Sequence, residues 1–272
     1  MKMNTKKLFV GLIFFSLVVT YQNCSNAKFT NDGSSLNSSL GVDGNTGGND
    51  PTCSPNMVTA NKIVKVLFVM DTSGSNAAGQ GSISPTDPNK KWRSATINNF
   101  INKYGYGSNF YYGLTTFQNS SSTPDIVQSK QGIFSNDQST VQAGIQKFEN
   151  TSDAGYTPYK AALSLAKNII SYDLQNNASQ NAAYVMIMVS DGMATDYSDP
   201  SEVIPDAQAI ESLAPQQISL NSVFYFPDQA DDSQTDYLKN IANVGGGVFI
   251  KANSNSVLDI DSTVQVPSST CQ

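Results

Sequence analysis

Five side chains with hard oxygen atoms stand where the chain turns from apolar to polar. The run Val66-Leu67-Phe68-Val69-Met70 ends in Asp71-Thr72-Ser73-Gly74-Ser75, and Tyr184-Val185-Met186-Ile187-Met188-Val189-Ser190 ends in Asp191-Gly192. Between them, Asp153-Ala154-Gly155-Tyr156-Thr157 precedes Pro158 and a long helical pattern. Side chains two apart in an extended turn point the same way, so Asp71, Ser73 and Ser75 can face one point. Carboxylates and hydroxyls are ligands that Mg²⁺ prefers, and Mn²⁺ or Ca²⁺ also accept them. Hydroxyls are neutral, so a cation held by Asp71, Asp191, Ser73, Ser75 and Thr157 keeps part of its charge. It then attracts one more anionic oxygen, such as an acidic group on a partner. Each residue also has a bland alternative: Asp71 as a turn or cap, Thr157 as a cap before Pro158, Asp191 in an Asp-Gly turn.

Elements must bring these segments together. A strand buried on both faces reads as a near-continuous apolar run. Strands are expected at 62–70, 110–117, 183–190, 219–226 and 247–251, with an extended edge piece near 131–135. Helices are expected at 91–104, 138–149, 158–173, 203–214 and 234–243, with Pro158 in the first turn of the third. Strands alternating with helices imply βαβ units, an α/β fold with a mostly parallel central sheet flanked by helices. In such open sheets the ligand site lies beyond the carboxyl ends of the strands, and all three oxygen-bearing segments fall there. Ala77–Trp92, with Gly79, Gly81, Pro85 and Pro88, is expected as a surface loop beside the site, either setting partner choice or inert. Trp92, Phe110, Tyr111 and Tyr112 read as core or groove-wall packing, and Asp228–Asp236 as a solvated helix start.

Composition excludes several functions. The 272 residues include no histidine and three cysteines. That removes Ser-His-Asp and Cys-His catalysis, His-containing zinc sites and a Cys₄ zinc centre. Neither G-x-x-x-x-G-K-[ST] nor G-x-G-x-x-G occurs. The net charge of −6 and pI near 4.5 argue against nucleic acid as a partner.

The amino-terminal segment reads as an export signal over residues 1–23. Lys2, Lys6 and Lys7 are basic, and Leu8 through Val19 form an apolar stretch too short to span a bilayer comfortably. Tyr21-Gln22-Asn23-Cys24 fits a bacterial lipobox with Cys24 lipidated, although Asn23 and Tyr21 depart from the usual residues. Ser25-Asn26-Ala27 offers an ordinary signal peptidase site instead, with plain secretion as the outcome. Removing the signal takes the balance from −6 to −9, because it carries three lysines and no acid. Residues 24–56, rich in Ser, Asn and Gly, read as a flexible tether. Both cleavages leave Cys53 and Cys271, expected to pair in an oxidising compartment.

Asp71-Thr72-Ser73-Gly74-Ser75, Gly155-Tyr156-Thr157-Pro158-Tyr159 and Ser190-Asp191-Gly192 resemble the three site segments of a von Willebrand factor A domain. Tyr112–Phe117 resembles that family's second strand, and Leu238–Phe249 its last helix-to-strand passage. The resemblance covers about residues 61–262; the domain is expected over 57–272, closed by the Cys53–Cys271 bond that export implies. It implies a three-layer α/β/α Rossmann-like fold and a metal-ion-dependent adhesion site. In that site Ser73, Ser75 and Thr157 approach the ion directly, and Asp71 and Asp191 hold it directly or through water. The function expected is cation-dependent binding at the bacterial envelope, of a protein carboxylate or else a glycan. Anchoring is through an N-terminal lipid, most readily at the outer membrane. The alternative is a scaffold subunit in an envelope complex. An enzyme is not expected: an aspartyl-phosphatase would need a second Asp where Ser73 stands, and no catalytic residue is assigned.

Overall fold

The computed structural model describes residues 62–77, 84–107, 109–119, 121–123, 133–225 and 232–252. Cys24, Cys53 and Cys271, the expected signal and the expected tether lie outside them. Among the described residues six strands form one sheet: β1 (Val64–Asp71), β2 (Phe110–Gln118), β3 (Ser121–Thr123), β4 (Ala183–Ser190), β5 (Ile218–Tyr225) and β6 (Gly246–Ala252). Their order is β3-β2-β1-β4-β5-β6, with every pairing parallel except β2 with β3. Five helices accompany them: α1 (Lys91–Tyr104), α2 (Gln138–Glu149), α3 (Tyr159–Asn176), α4 (Val203–Glu211) and α5 (Asp236–Val244).

Alternation along the strands divides the core in two. Leu67 and Val69 of β1, Tyr184, Met186 and Met188 of β4, and Leu220 and Phe224 of β5 face α3, α4 and α5. Val66, Phe68 and Met70, with Val185, Ile187, Val189 and Val223, face Ile97 and Phe100 of α1 and Ile145 and Phe148 of α2. Both sheet faces are therefore covered, which is why β1, β4 and β5 are buried along their whole length. The result is the three-layer α/β/α architecture expected from the resemblance.

Three local expectations change. The edge strand is β3, at 121–123; of the stretch expected at 131–135, residues 131 and 132 lie outside the described residues, and among 133–135 Ser135 pairs through an isolated antiparallel bridge to Tyr112. Pro158 precedes the first turn of α3 rather than sitting in it. The described part of the 77–92 loop is not all surface, since Asp87 and Lys90 are buried. The chain runs from β1 to β2 on one side and returns to β4 on the other. The topological switch point therefore lies between the carboxyl ends of β1 and β4, the edge where sheets of this kind place their ligand sites.

Candidate metal centre at the switch point

Register places the two key strand ends side by side. Met70 pairs with Val189, so Asp71 and Ser190 end their strands at the same level. The Ser190 hydroxyl donates to Asp71 Oδ2 and the Ser73 amide donates to Asp71 Oδ1 at 2.7 Å. A 3₁₀ turn over Gly74–Asn76 follows and redirects the hydroxyls. Ser73 Oγ and Ser75 Oγ lie 3.1 Å apart, and Ser75 Oγ donates to Asp191 Oδ1 at 2.9 Å. Asn76 Nδ2 lies 3.5 Å from the same oxygen, and Tyr225 fixes Asn76 by donating its hydroxyl to Asn76 Oδ1 at 2.5 Å.

The third segment is knitted to the other two through its backbone. Ala154 N donates to Thr72 O at 2.9 Å, and Gly74 N to Gly155 O at 3.0 Å. Gly155 has φ +71°, and a Cβ there would fall 1.5 Å from Asn119 Oδ1, so only glycine fits. Thr157 exchanges hydrogen bonds with Thr195, from N to Oγ1 at 3.1 Å and from Thr195 N to Thr157 O at 2.9 Å. Its own Oγ1 comes within 3.5 Å of where a Cβ on Gly192 would stand. Asp71, Ser73, Ser75, Thr157 and Asp191 thus come from three loops joined to one another.

Behind them lies a buried ionic network that reading the sequence missed. Arg93, fully buried, donates Nη1 to the main-chain oxygen of Asp71 at 2.6 Å and grips Asp153 with both terminal nitrogens, at 3.0 and 2.8 Å. Its Nε reaches Asp87 Oδ2 at 3.1 Å, and Asp87 also accepts from the Trp92 and Arg93 amides, capping α1. Lys90 Nζ stands 3.4 Å from Asp153. A basic residue in the first turn of a helix opposes the dipole, and that was the only hint Arg93 gave. Arg93 and Lys90 are thus paired with Asp87 and Asp153, and Asp71 and Asp191 are left as two buried carboxylates that feel the charge of Arg93 but have no side-chain ion pair of their own among the described residues.

The electrostatics register that excess. Burial raises the Asp71 carboxyl above its ordinary range, opposed by the Ser190 and Ser73 hydrogen bonds. Burial, and then the charge of Asp71, push Asp191 up to about 7, while hydrogen bonds from Thr86 and Ser75 pull it down. Asp191 is 2% exposed, and its Oδ2 has no hydrogen-bond partner among the described residues. A buried oxygen left unpaired costs free energy and calls for an explanation. A hard divalent cation fits it in charge and in the oxygen atoms around it. Among the described residues no group of three or more His, Cys, Asp or Glu is placed to hold a metal ion, so a cation here would rest largely on hydroxyls.

The profile of the von Willebrand factor type A domain matches residues 65–263. The chain belongs to this family. No curated protein matches it. Among solved structures, a von Willebrand factor type A protein from Catenulispora acidiphila is 14% identical with a TM-score of 0.54, over 72% of this chain and 40% of that one. Proximal thread matrix protein 1 from the mussel byssus is 15% identical with a TM-score of 0.50, over 76% of this chain and 46% of its own. The pilus adhesin SpaC from Lactobacillus rhamnosus GG is 14% identical with a TM-score of 0.50, over 72% and 29%. The chain therefore spans less than half the length of each. At such identities these likenesses show the von Willebrand factor type A fold and nothing finer.

Proposed function

We propose that this von Willebrand factor type A domain is a divalent-cation-dependent protein-binding module of the bacterial cell envelope, engaging a carboxylate of a partner protein. The observation that carries the reading is the pair of buried carboxylates Asp71 and Asp191, with Asp191 Oδ2 unpartnered among the described residues and the Ser75 hydroxyl, itself against that of Ser73, on Asp191 Oδ1. Domains of this family often bind a metal ion, and one structural neighbour is a pilus adhesin. Asp71, Ser73, Ser75, Thr157 and Asp191 would hold the ion, with Mg²⁺ the first choice and Mn²⁺ or Ca²⁺ also suited. When bound, the ion supplies a Lewis-acidic position able to accept an acidic oxygen from outside.

The residues of the chain do the rest. Ser190 and the Ser73 amide orient Asp71, Asn76 and Ser75 orient Asp191, and Arg93 locks the Asp71 backbone. Binding rather than catalysis is the activity, because Ser73 stands where a phosphatase would need its second Asp. The basic and apolar signal pattern, with Cys24 after it, supports a lipid-anchored tether at the outer membrane, with plain secretion as the alternative. A Cys53–Cys271 bond, expected in an oxidising compartment, would then close the domain. A glycan is the less favoured partner.

Titration of Mn²⁺ into the full chain, followed by calorimetry, tests the reading. One site per chain that Mg²⁺ competes for, abolished by Asp71→Ala, is expected. No saturable binding, or binding indifferent to Asp71→Ala, would refute it. Mass spectrometry of the mature amino terminus checks the lipid on Cys24.

A further inference from the structure

Three large apolar side chains are exposed among the described residues: Tyr156 at 70%, Tyr172 at 56% and Met193 at 45%. Single exposed apolar residues are ordinary. The position of two of them is not. Tyr156 immediately precedes Thr157, and Met193 immediately follows Gly192, where Thr157 Oγ1 makes its close approach. Tyr172 lies instead in the last turns of α3, away from the strand ends that carry the site.

Both side chains project from pinned backbone. Tyr156 O accepts from Asn119 N at 3.0 Å. Gly192 O accepts from the hydroxyl of the buried Tyr159 at 2.7 Å, and Ala194 on the other side of Met193 is buried. Neither exposed side chain is needed for the core, so their outward placement is a property of the loop ends rather than of packing. A rigid aromatic and a flexible thioether beside a polar centre match the composition of protein recognition surfaces, where Tyr and Met are enriched.

We propose that Tyr156 and Met193 form an apolar rim that selects the partner: an acidic side chain flanked in its own chain by apolar side chains. This rests on the cation-bridged reading given above. The carboxylate would enter toward the ion, and the flanking aliphatic or aromatic groups would cover Tyr156 and Met193. Such a rim adds apolar burial, which a lone carboxylate cannot supply, and so distinguishes one acidic segment from another.

The test uses the full chain with Mg²⁺ in excess and two fluorescent heptapeptides of equal charge. One has a central Asp flanked by Leu, the other the same Asp flanked by Ser. Anisotropy should show the Leu-flanked peptide binding about tenfold tighter, the equivalent of about 1.4 kcal/mol, with both signals abolished by EDTA. The double substitution Tyr156→Ser and Met193→Ser should erase the preference and leave Mn²⁺ affinity unchanged. Cation-dependent binding that is equal for the two peptides, or a preference that survives the double substitution, overturns the rim alone. Binding of neither peptide, or binding insensitive to EDTA, overturns the cation-bridged reading and the rim together.

Discussion

Replacing Asp191 by Asn separates two roles of one carboxylate: its cost to the empty domain and its use to a cation. The shape is kept and one of the two buried charges is removed. With burial and Asp71 holding Asp191 near 7 in the folded chain, and an ordinary aspartate titrating near 4 once unfolded, the native state binds more protons between those values. Stability of the wild type in EDTA should therefore fall as pH rises from about 4 to about 7, then level off. The corresponding ceiling is on the order of 4 kcal/mol at pH 8, reduced because Asp71 shares the strain and the new amide must itself be satisfied. Asp191→Asn should thus be more stable than wild type at pH 8 in EDTA by about 2 to 3 kcal/mol, or roughly 5–10 °C in Tm. At pH 5 the difference should shrink. Mg²⁺ at a hundred times its Kd should return about 2.7 kcal/mol to the wild type and almost nothing to the variant. Thermal and urea melts in EDTA and in Mg²⁺, at both pH values, give all four comparisons. An Asn variant no more stable than wild type at pH 8 without cation, or equal gains from Mg²⁺, would refute the reasoning.

Three other perturbations have definite outcomes. Arg93→Met leaves Asp87 and Asp153 buried without their main cation, so urea unfolding should show a loss of about 3–5 kcal/mol. Gly155→Ala forces a Cβ into Asn119 at φ +71°. It should cost about 1–3 kcal/mol and weaken Mn²⁺ binding in calorimetry, because the shifted loop carries Thr157. Thr157→Val removes one hydroxyl and keeps the shape, so Mn²⁺ affinity should fall at least about tenfold, the loss of roughly one good interaction, while Tm without cation moves only a few degrees.

The layered fold was legible because β1 and β4 carry apolar residues on both faces, a pattern that demands helices above and below. The site segments were legible for a related reason: Asp71 and Asp191 interrupt those runs at the sheet edge, and the topology of such sheets makes that edge one place. The edge strand β3 escaped notice because Ser121, Ser122 and Thr123 have no apolar alternation, and it exists through main-chain pairing with Thr116–Gln118. The Arg93 network escaped because Asp87, Lys90, Arg93 and Asp153 are spread over two loops and a helix start. Nothing local says that Asp153 returns to meet the others; only the closure of the 153–157 loop on the 72–74 turn does. The same closure creates the charge excess at Asp71 and Asp191, which no count of acidic residues reveals.

The most direct measurement is anomalous diffraction from crystals of the protein grown with Mn²⁺. The account predicts one strong peak enclosed by Ser73 Oγ, Ser75 Oγ and Thr157 Oγ1, with Asp191 Oδ2 turned toward it. Crystals grown at saturating Mn²⁺ with no peak among these atoms, or with the metal held elsewhere on the chain, would contradict it.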